Sequence, residues 1–162
     1  MTDNHIGKRI YVATALPASN DQAGFEALNW VLVKGPQTLP QLGVSHSIGD
    51  IPDLASGFTA GNKGAAKGVD TTGTHRDVDG DTGQANLKAQ CLDKVGALSV
   101  KIVKGSGTDG DDGPEPVSGD PVEYAAGIAH SYQPNQATDT SHEGFQYGFR
   151  QNAPTVEATE PA

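Results

Sequence analysis

A chain of 162 residues with 31 Leu, Ile, Val and Phe has room for one domain but only a thin core, which burial against further copies of itself would thicken. Its net charge of -9 belongs to its second half: residues 1–76 hold six Lys/Arg and six Asp/Glu, residues 77–162 five and fourteen. That excess argues against a protein that grips nucleic acid, whose affinity comes largely from Lys and Arg displacing counterions, and the one cysteine, Cys91, excludes an internal disulfide.

The N-terminal "MTDNHIGKR" carries no apolar stretch of a signal peptide, and nowhere do about 18 consecutive apolar residues occur, so the chain reads as soluble, without membrane insertion. "KRIYVAT" (8–14) has the β-branched and aromatic content of a strand, and "FEALNWVLVKG" (25–35) ends in an apolar run suited to a strand covered on both faces. Residues 36–68 read as one long Gly-rich loop with a strand around Gly43–Ile51. Leu39, Leu42, Leu54 and Phe58 lie in it without helix or strand period, and a loop reaching a neighbouring subunit would use them; the plainer alternative is a surface loop tucked onto its own core.

"VDTTGTHRDV" (69–78) is Thr-rich and reads as a half-exposed strand. A helix is expected over about 82–94, with Asp81 as N-cap and Gln84 completing a capping box, Leu87, Cys91, Leu92 and Val95 packing it on the sheet, and Gly96 as the stop. "ALSVKIVKG" (97–105) alternates as a half-buried strand, residues 105–121 form a polar excursion, and two strands follow. In "PVEYAAGIAHSY" one face would carry Val122, Tyr124, Ala126, Ile128, His130 and Tyr132; in "HEGFQYGFR" one would carry Phe145, Tyr147 and Phe149. The architecture expected is mainly β: about six or seven strands in a β-sandwich or half-barrel, one flanking helix, one domain over 1–150 and a flexible tail over 151–162.

Little chemistry is encoded. A calcium loop starting at Asp77 needs Gly at its sixth position and Glu at its twelfth, where Thr82 and Lys88 stand. Asp77 and Asp79 then read as the approach to a helix N-terminus, and with Asp109, Asp111, Asp112 and Asp120 as an acidic surface. The five histidines (5, 46, 75, 130, 142) are dispersed, "GNKGAAKG" (61–68) lacks the phosphate-loop spacing, and no nucleophile elbow occurs. Neither an enzyme nor a metal or cofactor is expected.

The stretches "GKRIYVATALPASNDQAGFEALNWVLVKGPQTLPQLGVSHSIGDIPDLASGF" and "HRDVDGDTGQANLKAQ" resemble the tail tube proteins of long flexible-tailed bacteriophages. The resemblance implies a small β-sandwich whose copies form stacked hexameric rings around a lumen, in a tail assembled in the host cytoplasm, with Asp77, Asp79, Asp109, Asp111, Asp112 and Asp120 facing either that lumen or the exterior. The long loop, with Leu39, Leu42, Leu54 and Phe58, would touch a neighbouring subunit or ring. Tail terminator, tape measure and baseplate or distal tail proteins would be partners, and phage DNA would pass without specific binding. An extra immunoglobulin-like C-terminal domain is not expected. An acidic adhesion or decoration module, binding through residues 105–121, is the competing reading.

Overall fold

The computed structural model describes residues 4–162. In chain order the elements are β1 (Lys8–Ala13), α1 (Gln22–Glu26), β2 (Val31–Val33), β3 (Pro36–Thr38), β4 (Val44–Pro52), β5 (Thr59–Gly68), β6 (Asp70–Arg76), α2 (Thr82–Leu92), β7 (Ala97–Lys104), β8 (Asp109–Gly110), β9 (Gly113–Pro114), β10 (Pro121–Pro134), β11 (Gly144–Gln151) and β12 (Val156–Thr159). The mainly β architecture with a flanking helix is the expected one. The strands are more numerous, and the short α1 is additional.

One antiparallel sheet runs β2-β1-β7-β10-β11-β6-β3, with β12 pairing β10 in line with β11. Laid flat, seven strands at about 4.8 Å spacing would put its edges roughly 29 Å apart. Those edges, β2 and β3, are joined by Lys34 and Gly35 alone, a link spanning at most about 11 Å. The sheet must therefore curl into a half-barrel, and hydrogen bonds close the seam: Arg76 N–H donates to the Gly35 carbonyl at 2.9 Å and His75 Nδ1 lies 3.0 Å from the Lys34 carbonyl.

Inside the curl, Ile10, Val12, Val33, Leu98, Val100, Ile102, Phe145, Tyr147 and Phe149 meet Leu87 of α2. The single face expected for Phe145, Tyr147 and Phe149 is present. Outside, a second core gathers Phe25, Val103, Val122 and Tyr124, with Phe25 stacked on Tyr124 at 5.1 Å between ring centroids. The sequence expects a half-exposed β7, but α1, Trp30 and β12 cover its outer face, so Ser99 and Lys101 are buried as well. Ser99 Oγ donates to the Ala15 carbonyl at 2.7 Å, and Lys101 pairs with Glu160 at 2.8 Å. Within the flexible tail expected over 151–162, Gln151 ends β11 and Val156–Thr159 form β12, paired with β10 from Pro121 to Tyr124.

β10 also departs from simple alternation. Its register against β11 shifts between His130 and Gln133, where Ser131 takes a positive φ of 56°. This bulge moves Tyr132 onto the inner core with Ala125 and Ala129, whereas Val122, Tyr124 and Ala126 belong to the outer one. One face for all six residues from Val122 to Tyr132 is therefore incorrect.

Candidate assembly surfaces

β4 and β5 form a two-stranded sheet of their own, paired from Val44↔Gly68 to Pro52↔Thr59 and exposed almost throughout. Where the sequence suggests a loop there is thus a hairpin arm; ten residues at about 3.3 Å each make it roughly 30 Å long. Its second strand, "TAGNKGAAKG", was hidden because Ala and Gly carry little β-propensity, and only pairing with β4 makes it a strand. The base is anchored by Gln151, which is 1% exposed: its Oε1 accepts from Gly43 N–H at 3.0 Å, and its Nε2 donates to the Ala153 carbonyl and to Thr155 Oγ1, both at 2.7 Å.

The tip, 53–58, is built. Asp53 accepts from Ala55 N–H at 2.9 Å and from Ser56 Oγ at 2.8 Å, its carbonyl accepts from Gly57 N–H at 3.0 Å, and Gly57 adopts φ 66°. The Ser56 hydroxyl first, and then the Ala55 N–H, hold the Asp53 carboxyl below its ordinary value. The tip presents Leu54, 102% exposed, and Phe58, 75% exposed, with Ile48 and Ile51 exposed along the arm. Leu39 and Leu42 lie elsewhere, half-buried against the inner core. The four residues grouped by the sequence therefore split: two pack within the chain, two stand clear of it.

Helix α2 begins as expected, with Asp81 Oδ2 accepting from Gln84 N–H at 3.0 Å. The capping box is not completed, because Gln84 turns inward: its Nε2 donates to the carbonyls of Lys34 and Arg76, both at 2.8 Å, and its Oε1 accepts from Val78 N–H at 3.1 Å. Asp81 also accepts from Lys34 N–H at 3.1 Å. The helix start thus rivets the barrel seam. Gly83 makes this possible, since a Cβ there would lie 2.1 Å from the Leu32 carbonyl oxygen. Leu87 is fully buried and Cys91 packs beside it, whereas Leu92 and Val95 are exposed. Leu92 is five residues beyond Leu87, about 140° round the helix at roughly 100° per residue, and Val95 lies past its end. Neither packs the helix on the sheet.

The acidic residues are dispersed. Asp77 and Asp79 are exposed, as are Asp109 and Asp111, and Asp112 comes within 3.7 Å of Lys34. Asp120 is buried and structural, accepting from Ser106 Oγ at 2.6 Å, Ser106 N–H at 3.0 Å and Val117 N–H at 2.8 Å, so it is no surface charge. The 105–121 segment is not free either: Glu115 takes both guanidinium NH groups of Arg9, at 3.1 and 3.2 Å, and Arg9 is 4% exposed. Among the described residues no group of three or more His, Cys, Asp or Glu is placed to hold a metal, and no helix is long and apolar enough to cross a membrane. Burial pushes the Cys91 thiol up to about 11, away from nucleophilic use.

No protein-family model matches the chain, and no curated protein does. Solved structures match closely in shape. The sheath/tube terminator of an extracellular contractile injection system, in its extended state, is 10% identical with a TM-score of 0.64, over 98% of this chain and 97% of that one. The tube-terminating cap of the anti-feeding prophage is 11% identical with a TM-score of 0.59, over 99% and 93%. The SPP1 tail tube is 10% identical with a TM-score of 0.59, over 96% and 78%. The chain has the fold of these tube and terminator proteins, in line with the resemblance read from its residues.

Proposed function

We propose that the chain is a structural subunit of a phage-type tail tube, copies of which join through the β4–β5 arm into stacked hexameric rings that conduct DNA into the host. The observation that carries this is the arm. A two-stranded hairpin alone in water is marginal, and this one is long, exposed and tipped by Leu54 and Phe58, a form that is stable and soluble when a second copy covers it. The fold shared with tube proteins supports the same reading. Six copies at -9 each would give a ring charge of -54, and a lumen sharing it would pass DNA without a basic foothold. Tail terminator, tape measure and baseplate proteins would be its partners, in a virion tail assembled in the host cytoplasm.

Negative-stain electron microscopy of the purified protein at rising concentration tests this. Sixfold rings or hollow tubes are expected, and L54D and F58D should each remove them while leaving the monomer's melting temperature unchanged. A wild-type protein that stays monomeric at every concentration, and with preformed tails added as seeds, would count against it. A second reading, a terminator ring, is favoured by the near-complete coverage of the two terminator chains, 97% and 93%, against 78% of the tail tube. Single rings that never lengthen would select it.

A further inference from the structure

An apolar groove of about 420 Å³ opens between the Leu16–Asn20 loop, the segment after α2, β10 and the stretch after β11. Leu16, Pro17, Val95, Ala97, Ala126 and Ile128 line it. Leu16 is 53% and Val95 72% exposed. Two cations stand beside it. Lys94 adjoins Val95 and Arg150 faces Ile128 across the β10–β11 pairing, and neither has an ion-pair partner among the described residues. Two carboxylates lie beside them, so the rim carries both signs: Asp93 accepts from the N–H groups of Val95 and Gly96 at 2.9 and 3.0 Å, and Asp70 Oδ1 lies 2.8 Å from His130 Nε2.

The arm's tip has the complementary character. Leu54 and Phe58 project from a turn already held by the Asp53 hydrogen bonds, so little ordering entropy remains to be lost on docking. Between residues 35 and 62 the only Asp, Glu, Lys or Arg are Asp50 and Asp53, both acidic. An apolar knob flanked by two carboxylates faces, in another copy, an apolar socket beside which Lys94 and Arg150 stand without an ion-pair partner among the described residues.

We infer that Leu54 and Phe58 of one copy seat in the Leu16–Val95–Ile128 groove of a second copy. This rests on the reading above that copies associate through the arm, and names where the arm lands. Knob and socket are different surfaces, so the contact is heterologous and repeats from copy to copy, either closing a ring or extending along an axis. It also gives a role to Val95, which the helix does not bury.

The test mixes L54C protein with V95C protein in equal amounts under mild oxidation at pH 8, with L54C plus D139C, at an exposed loop position, as the control. Cys91, half-buried and with its thiol pushed up to about 11, adds little background. The L54C–V95C adduct is expected at least tenfold faster than the control adduct, and V95D, L54D and F58D are each expected to abolish rings and tubes with unchanged melting temperature. No excess over the control overturns the contact, whether or not assemblies form. Tubes without the adduct remove this docking site and leave the assembly reading standing, whereas the adduct without any ring or tube does the reverse. Assembly blocked by V95D but tolerant of L54D and F58D means a different segment fills the groove, and also overturns the proposal.

Discussion

Gln84 makes three hydrogen bonds that a helix-cap reading did not anticipate, and they join α2 to both sides of the barrel seam. Q84A should cost about 2–3 kcal/mol in urea unfolding, because partly buried backbone groups of Val78 and Arg76 lose partners while the Lys34 carbonyl keeps His75. His75 is fully buried between Phe145 and Tyr147, and burial lowers its pKa against the smaller raising effects of the Lys34 carbonyl and Asp81. The unfolded chain therefore takes up a proton that the folded chain refuses. Stability from this site is full above the unfolded imidazole value, about 6.5, and falls as pH drops through it. The melting temperature should decline between about pH 7 and pH 5 in the wild type and less steeply in H75F, whose ring keeps the stack on Phe145. Asp21, Asp53, Asp93 and Asp120, all held low by local hydrogen bonds, weaken the fold only at more acidic pH, below about 3.9. From the residues alone the Asp81 cap was legible, because an N-cap is a local contact. The inward turn of Gln84 was not, since its acceptors lie 50 and 8 residues away.

At the scale of elements, β12 shows how little a polar sequence says about order. "VEAT" has a weak strand pattern, yet it pairs with β10 and lies over the outer core, because β10 is long enough to take β12 and β11 end to end on one side. Its continuation brings Glu160 to Lys101, with side chains only 18% and 9% exposed. E160Q should lower stability by about 3 kcal/mol by stranding a buried ammonium, and K101M with E160Q should cost less than the two single changes added together, a coupling readable in a double-mutant cycle. The arm was half legible for a similar reason. β4 has strand composition, β5 has none of its own, and exposed strands leave no apolar alternation to read.

For the whole molecule, two cores on the two faces of one curled sheet leave β7 and β10 buried on both sides and the arm outside both. Hydrogen exchange should follow that division. Amides of β7 and the first half of β10 should exchange only through global unfolding, and those of β4 and β5 within minutes in the monomer. In rings or tubes the arm should become at least tenfold slower, with Leu16–Asn20 and Val95–Ala97 slowing alongside it. Equal exchange of the arm in monomer and assembly would mean that it is not the contact.

The sequence by itself determined the mainly β class, the start of the one long helix and the shared face of Phe145, Tyr147 and Phe149. Each follows from composition, period or a contact within a few residues, which any fold containing the segment must respect. Only the tertiary structure decided that the sheet curls until Lys34 and Gly35 bridge its edges, that α1 and β12 bury the second face of β7, that Leu39 and Leu42 pack at home, and that residues 44–68 form an arm. Those outcomes depend on pairings between strands far apart in the chain, and a strand's partner, unlike its periodicity, is not written in its own residues.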